Sequence, residues 1–355
     1  MSGLTDILKA RIEQDGPISL HDYMQEALCH PEFGYYATRN PFGKEGDFVT
    51  APEVSQMFGE LIGLWCVDSW VKLGAPPHFH LVELGSGNGT LMADALRSAK
   101  LVPEFIAAAQ IHLVENSARL REIQAEKLAG ANAMWHENFP RLDDAPLVVI
   151  ANEFFDALPI HQYEFGGVSW AERYVGWADG CFQYTSSKLL NEHPALPENA
   201  QKGDIFEYAP LAETITNIVS CALIGNGGVA LIIDYGAADT ILGDSFQALR
   251  LQGYVDPFAT PGESDLTAHV KFQTLKEIAG SFGVTVHGPT SQGRFLEKLG
   301  IEARAGLLAR NATDVQKEDI GASLRRLTSA DEMGTLFKAM ALSHNITAPP
   351  EGFGD

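Results

Sequence analysis

Between residues 80 and 91 the chain reads His-Leu-Val-Glu-Leu-Gly-Ser-Gly-Asn-Gly-Thr-Leu, and this stretch narrows the choice of fold more than any other. Leu81, Val82 and Leu84 make a short apolar strand carrying one inward acid, Glu83. Glycines then occupy every second position, Gly85, Gly87 and Gly89, and the helix-forming segment 90–99 follows at once. A strand, a tight turn and a helix start are expected. Glycine lacks the Cβ that would hold a ligand off the backbone, and it tolerates positive φ, so the loop can lie flat beneath a nucleoside. The helix N-terminus behind it offers unpaired N–H groups to a carboxylate or phosphate. The loop, with Ser86 and Thr90 beside the glycines, reads as the seat of a nucleoside-containing cofactor.

Spacing separates the candidate cofactors. A dinucleotide fingerprint requires Gly-x-Gly-x-x-Gly, and counted from Gly85 its last glycine falls on Thr90. A phosphate-cradling Gly-x-x-x-x-Gly-Lys-Ser/Thr run occurs nowhere in the 355 residues. Glu-x-Gly-x-Gly-x-Gly after a strand instead resembles the first motif of the S-adenosylmethionine-dependent methyltransferases with a Rossmann-like sheet. An unliganded glycine turn is the plain alternative. One strand later the apolar run 111–114 meets Glu115 and Asn116, an acid where a doubly wound fold places its ribose-binding carboxylate. A carboxylate accepts from both ribose hydroxyls.

Charge excludes one class of partner. With 46 Asp plus Glu against 25 Lys plus Arg, the formal charge of −21 leaves no basic face for a nucleic acid. No apolar run approaches ~20 residues, so no membrane span is expected. Residues 1–11 contain no signal core, and Asp6 and Glu13 do not suit an organellar presequence, so the expected location is cytoplasmic. Cys29, Cys66, Cys181 and Cys221 stand far apart, and the eleven histidines show no metal-ligand spacing beside acids. Neither a disulfide framework nor a metal is expected.

Three consecutive regions are read along the chain. Residues 1–78 form a helical cap, with Leu4, Ile7, Leu8 and Ile12 at helical spacing and Ser19 with Asp22 as a capping box for a second helix. Pro52 then starts a helix whose stripe is Val54, Met57, Phe58, Leu61, Ile62 and Trp65, and its loop entrance carries Asp47, Thr50 and Gln56 toward the glycine loop. Residues 79–240 form an α/β core, a doubly wound parallel sheet with strands near 79, 111–114, 133–136, 147–151 and 229–233. An aromatic, alternating segment makes a small β insertion at about 162–205. Residues 241–355 complete the core with a loop or lid at 255–265, helices at 266–272, 275–282 and 333–342, and a strand at 284–286.

Ligands in open α/β sheets bind beyond the carboxyl ends of the strands. Asn138 and Phe139, past the third strand, are the candidate adenine contacts. The run 147–151 is continuously apolar, as a strand buried on both faces should be, and it ends in Asn152, Glu153 and Asp156. Two acids and an amide are poor core material, although Asn152 or Asp156 would also serve as a helix cap. Asp234 and Tyr235 end another apolar strand and, with His161, are candidate substrate contacts.

The blocks 46–59, 83–91, 152–161, 228–236, 256–269 and 291–300 together resemble the MidA-type methyltransferases. That family is similar to the mitochondrial complex I assembly factor that methylates an arginine on a core subunit of the respiratory NADH dehydrogenase. The resemblance implies a Rossmann-like class I methyltransferase using S-adenosyl-L-methionine and symmetric dimethylation of a protein arginine. It carries over to Gly85, Gly87 and Gly89 as the cofactor loop and to residues 152–156 as the reactive region. Guanidinium only donates hydrogen bonds. Carboxylates must therefore bind it, turn one nitrogen toward the methyl group and take up the proton released. Glu153 and Asp156 are assigned that task, with Asn152 orienting the nitrogen and Asp234 or Tyr235 as a second wall. A small-molecule methyltransferase and a non-catalytic, cofactor-binding assembly factor stay open as alternatives, and the oligomeric state is undetermined.

Overall fold

The glycine-rich stretch folds as its residues dictate: Phe79–Leu84 is a strand buried along its whole length, and Thr90–Ala99 is a helix capped by Gly89. The computed structural model describes residues 3–39, 49–188, 194, 196–239 and 242–354. The chain forms two units interleaved in sequence. One comprises Val49–Phe155, Thr214–Ala238 and Phe272–Asp355, and the other Met1–Phe48, Asp156–Glu213 and Asp239–Lys271.

The first unit is built on a seven-stranded sheet. Its order is Thr285–Ser291, Phe337–His344, Gly228–Tyr235, Leu147–Asn152, Phe79–Leu84, Ala109–Val114 and Met134–His136. The last five are parallel, and Phe337–His344 runs antiparallel to both of its neighbours. From Phe79–Leu84 the chain steps outward twice and then returns to lay Leu147–Asn152 on the strand's other side. The order therefore reverses beside the glycine loop, and such reversals open a crevice at the carboxyl ends of the strands. Leu147–Asn152 and Gly228–Tyr235 are buried at every position, which accounts for their unbroken apolar text.

The helix Gln56–Lys72 packs against Thr90–Ala99 so closely that a Cβ on Gly63 would lie 2.4 Å from the Ala95 carbonyl oxygen. Its Phe58, Ile62 and Trp65 join the core of this unit. That contact assigns residues 49–78 to the parallel sheet, unlike a cap ending at residue 78. Pro52 starts only the short helix Ala51–Val54; extended Ser55 breaks it and caps the next, its hydroxyl accepting from the Met57 N–H at 3.2 Å.

Two helical expectations fail. Residues 333–342 give the short helix Met333–Leu336 and then the strand Phe337–His344, although Lys, Ala, Met and Leu favour helix locally. Pairing on both edges decides the outcome: Ala339 stands opposite Ile233 on one side and Thr290 on the other. Likewise residues 266–272 contribute to the strand Asp265–Thr267, and the next helix begins only at Phe272. Leu266 there is buried opposite Ala248.

The second unit holds the N-terminal helices Gly3–Asp15 and Leu20–Cys29, the latter capped as expected by Ser19, which accepts from the Asp22 N–H at 3.0 Å. Its antiparallel sheet contains Ile18–Ser19, Trp170–Ala178, His161–Phe165 and Ile205–Tyr208, with Cys181–Lys188 alongside Trp170–Ala178. Leu4, Leu8, Tyr23, Met24, Val175 and Phe182 form its core. Gln247–Arg250, Gly253–Val255 and Asp265–Thr267 make a further three-stranded sheet, the last two strands bounding the segment 255–265 read as loop or lid.

Candidate cofactor and substrate site

All three loop glycines adopt left-handed backbone, with φ of 68° at Gly85, 50° at Gly87 and 72° at Gly89. L-residues avoid that region because their Cβ crowds the backbone. Space is also short at Gly85, where a Cβ would meet the Phe154 ring at 2.6 Å. The loop is held from the helix Ala118–Lys127 by the buried Gln124, whose amide donates to the Gly87 carbonyl at 2.8 Å and to Glu115 Oε2 at 3.2 Å. Gln124 Oε1 in turn accepts from the Trp135 indole at 2.8 Å. Glu115 Oε1 accepts from the Ser117 N–H at 2.9 Å, and the Glu115 carbonyl accepts from Arg121 Nε at 2.7 Å. Burial raises its carboxyl above the usual range.

Glu83 lies beneath the loop, 2% exposed. Burial pushes its carboxyl up to about 8, outweighing the lowering influence of the nearby Ser86 hydroxyl. Among the described residues, Asn88 Oδ1 is buried without a hydrogen-bond partner, and Glu83 Oε2 and Ser86 Oγ have at most each other. Buried polar atoms are rarely left unsatisfied. Buried polar atoms bonded this sparsely at one bare-backbone loop mark a place where a ligand completes the bonding.

Thr50 is the N-cap of Ala51–Val54, with no side-chain capping bond. Asp47 lies outside the described residues. Thr90 is a brace: its hydroxyl donates to Glu53 Oε1 at 2.6 Å and accepts from Lys127 Nζ at 2.6 Å. Asn138 is exposed and Phe139 half-buried just past Met134–His136, and the Glu115 N–H donates to the His136 carbonyl at 2.9 Å. That bond sets the expected adenine-contacting tip beside Glu115. Asn116 is exposed next to it.

The Leu147–Asn152 strand ends in a strained residue. Glu153 has φ of 49°, left-handed for a side chain with a Cβ, and such outliers gather at functional sites. Its Oε1 accepts from the Ala51 N–H at 2.7 Å and from Asn152 Nδ2 at 3.2 Å. Asn152 Oδ1 is buried with no partner among the described residues.

Asp234 and Tyr235 correct the sequence reading. Asp234 is fully buried, and its Oδ2 accepts from the N–H groups of Phe154 at 3.1 Å and Phe155 at 2.9 Å, while Oδ1 accepts from Tyr235 N–H at 2.9 Å. This carboxylate ties down the turn that follows Asn152. Tyr235 packs on Phe337 with ring centroids 5.4 Å apart and belongs to the core. Asp156 and His161 fall in the other unit. The Asp156 carbonyl there accepts from the Ala268 N–H at 3.0 Å. His161 meets Glu172 Oε1 at 2.7 Å, stacks on His21 at 4.8 Å, and lines a cavity of about 740 Å³.

Glu53, Asn88 and Gln124 escaped the sequence reading. Gln124 left one trace, since it follows the buried Leu120 by four residues and so shares its helix face.

A doubly wound sheet with a bare-backbone loop at its reversal point and an acid one strand on defines the class: a Rossmann-like, S-adenosylmethionine-dependent methyltransferase. Residues 61–290 match the family model of the S-adenosyl-L-methionine-dependent methyltransferases, and the chain belongs to that family. It is 36% identical to the protein arginine methyltransferase NDUFAF7 homolog, mitochondrial, of Drosophila melanogaster, over 96% of this chain and 85% of that one. It is 33% identical to the mitochondrial NDUFAF7 of Mus musculus, over 94% of this chain and 83% of the relative. A Burkholderia thailandensis protein solved with S-adenosyl-homocysteine superposes with a TM-score of 0.85 at 27% identity, covering 99% of this chain and 94% of that one. The expected family, fold and cofactor are borne out.

The cytoplasmic location is not, because these relatives are named as mitochondrial. Asp6 and Glu13 sit on exposed positions of the folded helix Gly3–Asp15, so they report a helix surface and carry no address. No described helix is long and apolar enough to cross a membrane.

Proposed function

We propose that the chain transfers a methyl group from S-adenosylmethionine to an arginine nitrogen of a protein. A core subunit of respiratory complex I is the target, and symmetric dimethylation the outcome, that the family resemblance implies. The observation that carries this reading is the orphaned, buried Asn152 Oδ1 beside the strained, acidic Glu153, at the end of the strand next to the glycine loop.

The cofactor supplies an electrophilic methyl carbon, and Glu83, Ser86, Asn88 and Glu115 are the residues that would hold it. What remains for the protein is to place the incoming nitrogen and accept its proton. Guanidinium needs acceptors, and Asn152 Oδ1 is one. Glu153 adds a carboxylate fixed by the Ala51 N–H and the Asn152 amide. Fixed in this way, Glu153 neutralises the cationic guest and receives the proton lost as the new bond forms.

The test is methyl transfer from labelled S-adenosylmethionine to isolated complex I subunits, with mass spectrometry of the products. Glu153→Gln should lower the rate by ~10²–10⁴-fold, the usual contribution of a positioned proton acceptor, with S-adenosylhomocysteine affinity unchanged. Undiminished transfer by that variant removes the assignment. Label found only in small molecules would replace arginine with a metabolite substrate.

A further inference from the structure

At the far side of the same sheet, histidines from three adjacent strands meet edge to edge. His80 lies on Phe79–Leu84, His112 on Ala109–Val114 and His136 ends Met134–His136. The register pairs His80 with Gln110 and His112 with Met134, so each histidine stands two residues beyond its neighbour's partner. Residues two apart on a strand share a face. The imidazoles therefore form a diagonal row from the amino end of one strand to the carboxyl end of another.

The row is hydrogen-bonded throughout. His80 Nδ1 lies 3.0 Å from His112 Nε2, and His112 Nδ1 lies 3.0 Å from His136 Nε2. At its outer end His80 Nε2 meets Asp143 Oδ1 at 2.7 Å, and the half-buried His78 brings Nε2 to 3.4 Å from the same oxygen. One acceptor would satisfy the row, so His78 is surplus to that need. The loop is anchored as well, since the Asp143 carbonyl accepts from Asn226 Nδ2 at 2.7 Å and from the Ala145 N–H at 2.8 Å.

We propose that His78 Nε2, His80 Nε2 and an Asp143 carboxylate oxygen form a binding site for a divalent cation of the zinc class. The three ligand atoms lie within 4.8 Å of one another. Two imidazoles and a carboxylate suit zinc, with a fourth tetrahedral position left for water. A metal-bound histidine ordinarily donates its other ring N–H to a fixed partner, and His112 is that partner. Sequence spacing conceals the site because two ligands sit two residues apart and the third lies 63 residues further on.

The row also gives metal binding a signature. Without metal, His80 Nε2–H donates to Asp143, so His80 Nδ1 accepts from His112 Nε2–H, and His112 Nδ1 accepts from His136 Nε2–H. A cation on His80 Nε2 requires the proton at Nδ1. Each imidazole keeps one proton, and all three change tautomer, carrying the switch to His136 at the end of the row.

The test is calorimetric titration of the chelator-treated full chain with zinc, with cobalt as a spectroscopic probe and nitrogen NMR of the histidine rings. One zinc per chain, tetrahedral cobalt bands and a tautomer switch at His112 are expected. His78→Ala and Asp143→Asn alter a half-buried and an exposed side chain, and each should weaken zinc binding by ~100-fold. Lack of one-to-one binding, or affinity retained in either variant, overturns the proposal. An unchanged His112 tautomer on zinc addition does so too.

Discussion

Glu83→Gln isolates the cost of keeping an acid beneath the cofactor loop. In the ligand-free protein the Glu83 carboxyl is held near 8, against 4.5 for a free side chain, because burial disfavours its charge. The folded state thus binds a proton that the unfolded chain has already lost. Its contribution is complete below about pH 4.5 and declines as pH rises toward about 8. At ~1.4 kcal/mol per pH unit, the gap from 4.5 to about 8 amounts to ~5 kcal/mol, of which ~3 kcal/mol is lost above pH ~5.5. Glutamine has the shape of the neutral acid and does not titrate. Urea denaturation of both ligand-free proteins from pH ~5.5 to ~9 should therefore show wild type falling relative to the variant by a few kcal/mol, then levelling. A difference that stays constant over that range refutes the reasoning. In the same variant S-adenosylhomocysteine should bind ~10- to ~100-fold more weakly, because glutamine, unlike the acid, cannot ionise to strengthen its acceptance from a ligand donor.

Asp234→Ala removes the acceptor of two buried and one partly buried backbone N–H groups and should cost ~3–5 kcal/mol in urea denaturation, well beyond a surface substitution. Gly85→Ala combines left-handed strain with the Phe154 contact, so a loss of ~1–3 kcal/mol and weaker S-adenosylhomocysteine binding by calorimetry are expected. Gln124→Leu leaves the Gly87 carbonyl and the Trp135 indole without partners; cofactor affinity should drop ~10-fold, with loss of ~2 kcal/mol of stability. Hydrogen exchange should find the amides of residues 338–342 among the slowest, as they are flanked by strands on both sides.

The cofactor half of the site was legible because its signals are local. Alternate glycines after an apolar strand require left-handed backbone whatever surrounds them, and residues 85, 87 and 89 adopt it. Leu147–Asn152 was equally plain, since burial on both faces leaves an unbroken apolar run. The substrate half was harder. Asn152, Glu153, Asp156 and Asp234 look alike as polar residues after apolar strands, and only hydrogen-bond partners separate them. Asp234 is taken up by three amides, whereas Asn152 Oδ1 is left open among the described residues.

Sequence by itself determined the glycine loop and the apolar segments of the parallel strands, because backbone conformation and burial are written in single residues and their near neighbours, and the loop's resemblance to a known motif implied the cofactor class. Tertiary structure alone decided that residues 337–344 form a strand despite helix-favouring side chains. It also decided that Glu53 and Gln124 brace the loop, and that His80, His112 and His136 make one row. Those outcomes rest on pairings between residues tens to hundreds of positions apart. Such pairings take effect only once the sheet's register has brought the partners together.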